Sequence, residues 1–377
     1  MIWTIVILIT TLFVAYANGA NDNFKGVATL FGSGTADYRK ALLWATAATF
    51  AGSIAAFFLA AKLIQTFSGK GLVPDVFLAN PAFLVSVILG AGLSVFIAAR
   101  IGIPISTTHA LTGALAGSGW LAAGDRLGFT TLGHNFFIPL LFSPIIAIVL
   151  TAALYPLFRL AGERAGIRKN TCVCIGERII PVGNLSLNEN GMLSVAELKS
   201  LDILVDEKEA CEAKAVELYS GRVLGIEVGK ILDFGHFLSA GAVSFSRGLN
   251  DTPKIVALSL GAGALGLGWN IGGVALAMAA GGLASARRVA ETMSKRITRM
   301  NHSEGFTANL VTAFLVIAAS GWGMPVSTTH VSCGSLFGLG LVTGKARWKV
   351  IGGIVSAWVL TLPAAALLAG ISYGVLR

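Results

Sequence analysis

The sequence predicts an all-helical protein that crosses a membrane several times. Its composition is the first observation, since 55% of the 377 residues are hydrophobic and only 12% are charged, against roughly 25% charged residues in soluble domains. The apolar residues also lie in runs close to the roughly 20 residues that span a bilayer. Finally, two pairs of matching segments recur in the same order, which indicates an internal duplication. These features exclude an ordinary soluble enzyme.

Residues 1–160 form the first predicted membrane repeat. It contains a crossing at 1–36, further crossings at 41–66 and 136–158, and a re-entrant hairpin at about 80–125. The N-terminal run lacks the basic start and the small-residue cleavage site of a secretory signal, so we expect it to be a retained first span.

Residues 161–229 are too polar for a bilayer and are predicted to form an aqueous linker or small subdomain. Residues 171–182 favour a strand, and 195–219 have the composition of an amphipathic helix. Cys172 and Cys174 fit neither a disulfide framework nor a zinc site, so we expect no metal role for them.

Residues 230–377 form the second predicted membrane repeat. Its crossings are at 230–265, 270–285 and 350–375, and its hairpin is at about 306–344. Because each half makes an odd number of crossings, the second half begins on the opposite face. This arrangement is the inverted repeat of many secondary transporters.

The distribution of positive charge predicts the orientation. With these crossings most loop Lys and Arg residues share the face of the linker, which makes that face cytoplasmic by the positive-inside rule. Both termini then lie outside an inner (plasma) membrane that the chain crosses several times. The net charge of +9 reflects this bias, and no basic and aromatic face predicts a nucleic acid partner.

The first repeated motif places a carboxylate inside apolar sequence. Asn21-Asp22 aligns with Asn250-Asp251. An Asp at the centre of a membrane helix costs roughly 2.5 to 3.5 kcal/mol, so such residues usually line a cavity or an ion path. The alternative is a capping side chain at a helix end.

Residues with low helix propensity around these motifs predict broken helices at 17–24 and 246–253. Freed carbonyls together with Asn and Asp side chains would form an oxygen cage for a small cation. The candidate cation ligands are Asn18, Asn21, Asp22, Asn250 and Asp251. Glu304 is a further candidate ligand, or alternatively a helix cap at the membrane interface.

The second motif is Pro-x-Ser-Thr-Thr-His, which occurs at 104–109 and again at 325–330. Proline ends one helix and Ser or Thr begins the next. Backbone N–H groups, the helix dipole and the hydroxyls then form an anion site inside the membrane. The candidate anion ligands are Ser106, Thr107, Thr108, Ser327, Thr328 and Thr329. Ordinary capping with small-residue helix packing is the alternative.

Other ionisable residues lie near these motifs. We expect His109 and His330 to bond backbone carbonyls of the hairpin more readily than substrate. Arg247 lies either near the anion or with its charge extended to the interface. Lys25 and Lys254 are expected to mark the flank of the site rather than to form a proton relay.

GANDxxK, its partner GLNDxxK and the two PxSTTH segments resemble the inorganic phosphate transporter (PiT) family of secondary carriers. The resemblance covers both halves and leaves out the linker. It implies an inverted repeat with two re-entrant hairpins, phosphate moved with sodium or protons, and a homodimer. It also implies phosphate and ion binding by Asn21, Asp22, Asn250 and Asp251, and a phosphate cradle of Ser106, Thr107, Thr108, Ser327, Thr328 and Thr329.

The leading hypothesis is therefore a sodium-coupled phosphate symporter that works by alternating access, without a cofactor. Sodium is preferred because neutral oxygens surround only one Asp in each half. A proton-coupled phosphate or sulfate permease of the same family is the alternative, and an anion channel is the alternative from another class. An enzyme is disfavoured, since no P-loop or nucleophile elbow is present.

Overall fold

The computed structural model describes residues 2–164, 171–187, 193–207, 224–260, 266–298 and 300–377. The chain divides into two units. The larger unit combines Met1–Pro156 with His236–Arg377, and the smaller one is Leu157–Gly235. The described part of the larger unit is helical, as the composition predicts.

The first half contains nine helices among the described residues. They are α1 (Ile2–Asp22), α2 (Ala28–Ser33), α3 (Tyr38–Leu59), α4 (Ala61–Phe67), α5 (Asp75–Leu78), α6 (Pro81–Ile101), α7 (Thr107–Ala123), α8 (Phe129–Thr131) and α9 (Ile138–Arg164). Short 3₁₀ turns cover Lys25–Val27 and Gly124–Arg126, and a π-helical turn covers Leu132–Phe137.

The described residues of the second half form six helices. They are α10 (Val228–Leu260), α11 (Leu267–Ser285), α12 (Arg287–Glu291), α13 (His302–Trp322), α14 (Thr328–Thr343) and α15 (Trp348–Leu376), with a π-helical turn at Thr292–Arg296. Within the described ranges, seven helical stretches are long and apolar enough to cross a membrane: Ile2–Ser33, Tyr38–Leu59, Pro81–Ile101, Phe129–Ala161, Leu267–Ser285, Ser303–Trp322 and Trp348–Leu376.

The two predicted helix breaks have different outcomes. Helix α1 continues through Asp22, so residues 17–22 are helical. The first break lies in the turn at 23–24, at the end of the predicted segment and just before Lys25–Val27. The break predicted at 246–253 is wrong, because α10 runs without interruption past Pro253. Proline removes a single backbone donor, and membrane helices tolerate this loss where neighbouring groups bond the freed carbonyl.

Helices α6 and α7 form one hairpin, and α13 and α14 form the other. The second arm of each begins at a buried serine, as the motif predicts. The Ser106 hydroxyl accepts the His109 N–H at 3.0 Å, and the Ser327 hydroxyl accepts the His330 N–H at 3.2 Å. These caps place two helix N-termini in the protein interior. Whether the hairpins are re-entrant remains a prediction.

Matched glycines bring helices of the two halves into close contact. A Cβ atom on Gly19 of α1 would lie 2.0 Å from the Met278 carbonyl oxygen of α11. On the equivalent Gly248 of α10 it would lie 2.1 Å from the Thr49 carbonyl oxygen of α3. Only glycine permits approaches this close, so each half contributes a motif helix that packs on a helix of the other half.

The second arm of each hairpin also packs on a helix of the opposite half. A Cβ atom on Gly117 of α7 would lie 2.2 Å from the Ala366 carbonyl oxygen of α15, and one on Gly338 of α14 would lie 2.4 Å from the Ile148 carbonyl oxygen of α9. The aligned glycines therefore hold the second arm of each hairpin against the last helix of the opposite half.

The smaller unit contains an antiparallel sheet in the order β2-β1-β3. Its strands are β1 (Thr171–Leu187), β2 (Leu193–Glu207) and β3 (Leu224–Glu227). The strand predicted at 171–182 is confirmed. The helix predicted at 195–219 is wrong as far as Glu207, because pairing with β1 along this length overrides a weak local propensity. Residues 208–219 lie outside the described residues.

Candidate functional site

A buried cluster of polar side chains lies where the starts of α7 and α14 meet α1 and α10. None of its members exposes more than 6% of its surface, so the cluster is closed to solvent in this conformation. They are Asn18, Asn21, Asp22, Lys25, Thr107, Thr108, Arg247, Asn250, Asp251, Lys254, Thr328 and Thr329.

Asn18 joins the two motifs at the centre of the cluster. Its amide nitrogen lies 2.9 Å from Thr107 Oγ1, 3.2 Å from Asp22 Oδ2 and 3.3 Å from Asp251 Oδ2. Thr107 donates to Asp22 at 3.3 Å, and Thr328 donates to Asp251 at 3.5 Å. Carboxylates from both halves therefore meet hydroxyls from both hairpins, as the repeat predicts.

Lys25 is bonded on all sides by oxygen atoms. Its Nζ donates to Asn21 Oδ1 and the Ile105 carbonyl, each at 2.8 Å, and to Thr329 Oγ1 at 2.5 Å. It also forms an ion pair with Asp22. The expectation that Lys25 lies at the flank of the site is wrong, because it fills the centre of the first-half cluster.

Lys254 occupies the equivalent position in the second half. Its Nζ donates to the Val326 carbonyl at 2.7 Å and to Thr108 Oγ1 at 2.8 Å, and lies 3.6 Å from Asp251 Oδ1. The predicted flank position is therefore wrong here too. Burial of each lysine beside its aspartate, three residues earlier, offsets the cost of burying either charge alone.

Two threonines connect the hairpins to each other. Thr108 of α7 donates to the Val326 carbonyl before α14 at 3.2 Å, and Thr329 of α14 donates to the Ile105 carbonyl before α7 at 2.8 Å. Each hydroxyl thus bonds the hairpin of the opposite half. The exchange holds the two helix N-termini next to each other.

Arg247 lies within the cluster, so of its two predicted positions the one near the candidate anion site is the one observed. Its Nη2 donates to Asn18 Oδ1 at 2.7 Å, and its Nη1 donates to Thr49 at 3.1 Å and Asn23 at 3.2 Å. Its Nε lies 3.7 Å from Asp251 Oδ2. Three cationic side chains thus face two carboxylates, which gives the ionised cluster a positive excess.

The remaining predicted ligands of the second half also lie in this network. Asn250 donates to Asp251 Oδ1 at 3.0 Å and to the Val326 carbonyl at 3.3 Å, and its own oxygen accepts from Ser320 at 3.2 Å. The hydroxyls of the predicted cradle serines accept the cap hydrogen bonds at their helix starts. Among the cradle threonines, Thr107 and Thr328 bond the carboxylates.

The two motif histidines lie against each other, with ring centroids 4.3 Å apart. His109 Nδ1 is 3.1 Å from the Ser106 hydroxyl, while His330 Nδ1 is 3.5 Å from the Leu140 carbonyl. His330 also stacks on Trp358 at 3.9 Å. The carbonyl near His330 belongs to α9 and not to a hairpin, and the Nδ1 partner of His109 is a hydroxyl, so the expected bonds to hairpin carbonyls are not observed.

Glu304 acts as a helix cap, which is one of its two predicted roles. Its Oε2 accepts the Asn301 N–H at 2.7 Å, and Asn301 Oδ1 accepts the Glu304 N–H at 2.9 Å. Its Oε1 accepts from Lys345 at 2.8 Å and from Tyr155 at 3.4 Å. None of these contacts involves the Asn18 cluster, so the carboxylate stabilises the start of α13.

Comparison with known proteins is consistent with this geometry. The phosphate transporter family matches residues 18–369. A Pyrococcus abyssi protein named "Putative phosphate permease" is 27% identical, over 99% of this chain and 98% of the relative. The chloroplastic inorganic phosphate transporter 2-1 of Arabidopsis thaliana is 27% identical, over 96% of this chain and 70% of its own length.

A solved structure described as the sodium-dependent phosphate transporter superposes with a TM-score of 0.75 at 21% identity. The match covers 100% of this chain and 99% of that one, so the two share a fold. Family and fold indicate a multi-pass membrane transporter rather than an enzyme. The family resemblance that the four motif copies indicate is thereby confirmed, and the chain belongs to the phosphate transporter family.

Proposed function

We propose that this chain is a secondary active symporter that imports inorganic phosphate together with sodium by alternating access. The observation that carries the proposal is the Asn18 bridge, where carboxylates of both halves lie beside the start of a buried helix. Adjacent sites for an anion and a cation favour joint binding, because each bound ion lowers the electrostatic cost of the other.

Phosphate would bind between the two helix starts. Free backbone N–H groups and the positive ends of the helix dipoles attract an anion there. The proposed phosphate ligands are Asp22, Ser106, Thr107, Thr108, Asn250, Asp251, Ser327, Thr328 and Thr329. A protonated phosphate oxygen donates a hydrogen bond to a carboxylate, so Asp22 and Asp251 are compatible with an anionic substrate.

Sodium would bind to the hard oxygen atoms of the same cluster. The proposed sodium ligands are Asn18, Asn21, Asp22, Asn250 and Asp251. Glu304 is not retained in this set, because its oxygens cap α13 and pair with Lys345.

Alternating access is proposed because the cluster is buried in this conformation. Asp22 is 1% exposed and Asp251 is 2% exposed, so ions reach them only after helices move. The exchange of motif helices between the halves supports an inverted repeat, in which the halves rock against each other around the central site.

The proposed orientation has a cytoplasmic linker at 161–229, both termini outside, and a homodimer in the bilayer. Two separate variants, Ser68→Cys and Lys345→Cys, would test the orientation, since the positive-inside distribution places Lys345 in the cytoplasm. An impermeant maleimide should label only the Ser68 position in intact cells. Labelling of the Lys345 position instead would indicate the opposite orientation.

Mass photometry of the protein in nanodiscs would test the proposed homodimer.

Uptake of labelled phosphate into proteoliposomes tests the transport proposal. An inward sodium gradient is compared with a matched potassium gradient at fixed pH, with Asp22→Asn as the site variant. The exposed Asp125 provides the matched control, Asp125→Asn. Accumulation that requires sodium and is lost only in Asp22→Asn is the expected result.

Other outcomes point to the alternatives. Uptake driven by a pH gradient with potassium in place of sodium would indicate a proton-coupled carrier, and strong competition by sulfate would indicate a sulfate permease. Downhill flux without accumulation under any gradient would indicate an anion channel.

A further inference from the structure

The Lys25 ammonium lies in a cage of four oxygen atoms. The Ile105 carbonyl and Asn21 Oδ1 are each 2.8 Å away, Thr329 Oγ1 is 2.5 Å away, and the Asp22 carboxylate completes the set. Carbonyl, amide, hydroxyl and carboxylate oxygens are the ligands that hard metal cations use. The cage therefore combines the ligand chemistry of an alkali cation site with a covalently attached cation as its occupant.

We propose that this cage is a monovalent-cation site, that the Lys25 ammonium fills it when no ion is bound, and that the coupling cation displaces the ammonium. An ammonium and an alkali cation carry the same charge and need the same oxygens, so the four-oxygen cage holds one of them at a time. The coupling role rests on the proposed function, whereas competition for the cage is independent of it.

Displacement gives the ammonium a second partner. Lys25 Nζ already contacts Thr329, which belongs to the start of α14. The flexible side chain can turn from the cage to an anion held at that helix start with little movement of the backbone. Cation binding would then supply an additional donor to phosphate, which makes the two ions bind cooperatively and reciprocally.

The charges of the whole cluster agree with this exchange. Lys25, Arg247 and Lys254 exceed Asp22 and Asp251 by one positive charge when all five are ionised. One added alkali cation and one divalent hydrogen phosphate bring the cluster to neutrality. Because an uncompensated charge in a buried site is costly, the neutral loaded state is favoured over binding of the cation alone.

Lys254 provides an internal comparison. Its ammonium has two close oxygen partners, the Val326 carbonyl at 2.7 Å and Thr108 at 2.8 Å, while Asp251 Oδ1 is 3.6 Å away. This second cage is less complete than the one around Lys25. Among the proposed sodium ligands, we therefore assign the site that an ammonium occupies in competition with the ion to the Lys25 cage, and we expect a weaker effect from changes at Lys254.

Sodium binding in the absence of phosphate tests the competition directly. The full chain in nanodiscs is titrated with ²²Na⁺ as the wild type, Lys25→Met, Lys254→Met and Lys40→Met. The Lys40 side chain is 76% exposed, which makes it the matched control. Lys25→Met should bind sodium at least about tenfold more tightly, because loss of one charge-assisted hydrogen bond to the competitor corresponds to about that factor.

Phosphate binding provides the second measurement. Sodium should raise the phosphate affinity of the wild type, and in saturating sodium Lys25→Met should bind phosphate about tenfold more weakly because the released donor is missing. Lys254→Met should change sodium affinity less than Lys25→Met, and Lys40→Met should change neither affinity.

Lys25→Met removes both the counter-charge and the hydrogen-bond donor of Asp22. The second variant is therefore Lys25→Gln, which removes the charge and keeps hydrogen-bond donors. Sodium affinity equal to that of the wild type in either folded variant would overturn the inference, even if wild-type uptake requires sodium. Wild-type uptake without sodium would refute the proposed coupling, while tighter sodium binding by the variant would still support competition for the cage.

Discussion

The ion pair between Asp22 and Lys25 allows a quantitative test of the buried cluster. Asp22→Asn keeps the size of the side chain and one oxygen acceptor but removes the negative charge. Both partners are at most 2% exposed, so Lys25 loses its counter-charge away from water. Removal of one partner of a buried pair costs about 3–5 kcal/mol. Since the amide oxygen still accepts hydrogen bonds, we expect a loss of about 3 kcal/mol in unfolding free energy.

A double-mutant cycle separates this pair from the rest of the cluster. Asp22→Asn, Lys25→Met and the double variant are compared by denaturant unfolding in detergent, and by phosphate uptake in proteoliposomes. The double variant removes both charges, so its loss of stability should be smaller than the sum of the single losses by about 2 kcal/mol. Uptake by Asp22→Asn should fall about a hundredfold, because a charge-assisted contact between the carboxylate and a bound ion contributes up to about 3 kcal/mol of binding free energy.

Two results would refute this reasoning. Additive losses of stability in the cycle would mean that the two side chains do not form an energetic pair. Normal uptake by a folded Asp22→Asn variant would mean that the carboxylate has no part in transport. The exposed control Asp125→Asn should match the wild type in both assays.

Three further predictions follow from particular contacts. Gly19→Ala places a Cβ atom 2.0 Å from the Met278 carbonyl oxygen and should lower the unfolding free energy by about 1–3 kcal/mol in denaturant unfolding. Gly352→Ala, which lies inside α15 and meets nothing within 4 Å, should cause no loss and a gain of up to about 1 kcal/mol in the same assay. Glu304→Gln weakens the cap and the Lys345 pair, so it should lower the unfolding free energy by about 0.5–2 kcal/mol. The sodium dependence of uptake should not change, and a changed sodium dependence would restore Glu304 as a cation ligand. Thr108→Val and Thr329→Val each remove a hydroxyl that bonds a lysine and the opposite hairpin. Each substitution should raise the KM for phosphate about tenfold. An unchanged KM in both variants would remove these threonines from the proposed cradle.

Much of the site was predictable because the chain repeats its chemistry. The pairs Asn21-Asp22 and Asn250-Asp251 are conspicuous as polar residues in apolar sequence, and the structure gathers them in one cluster. The serine starts of α7 and α14 were equally predictable, because proline followed by a hydroxyl residue is a local signal.

The lysines show where sequence reasoning was insufficient. Lys25 and Lys254 occupy aligned positions, and this identity was a signal of a shared role. A lysine in apolar sequence is nevertheless equally compatible with an extended side chain whose charge reaches the interface. Their burial follows from carbonyl and hydroxyl oxygens on another segment, such as Ile105 and Thr329 for Lys25.

The sequence alone determined the membrane class, the duplication and the residues that meet in the site, because composition, run length and repeated motifs are local properties. The tertiary structure decided that α10 continues past Pro253, that residues 195–207 pair as a strand and that Glu304 caps α13. It also decided that both lysines are central. The strand pairing, the burial of the lysines and the Glu304–Lys345 pair depend on partners distant in the chain. Such packing and hydrogen bonds outweigh local propensities of a fraction of a kcal/mol per residue.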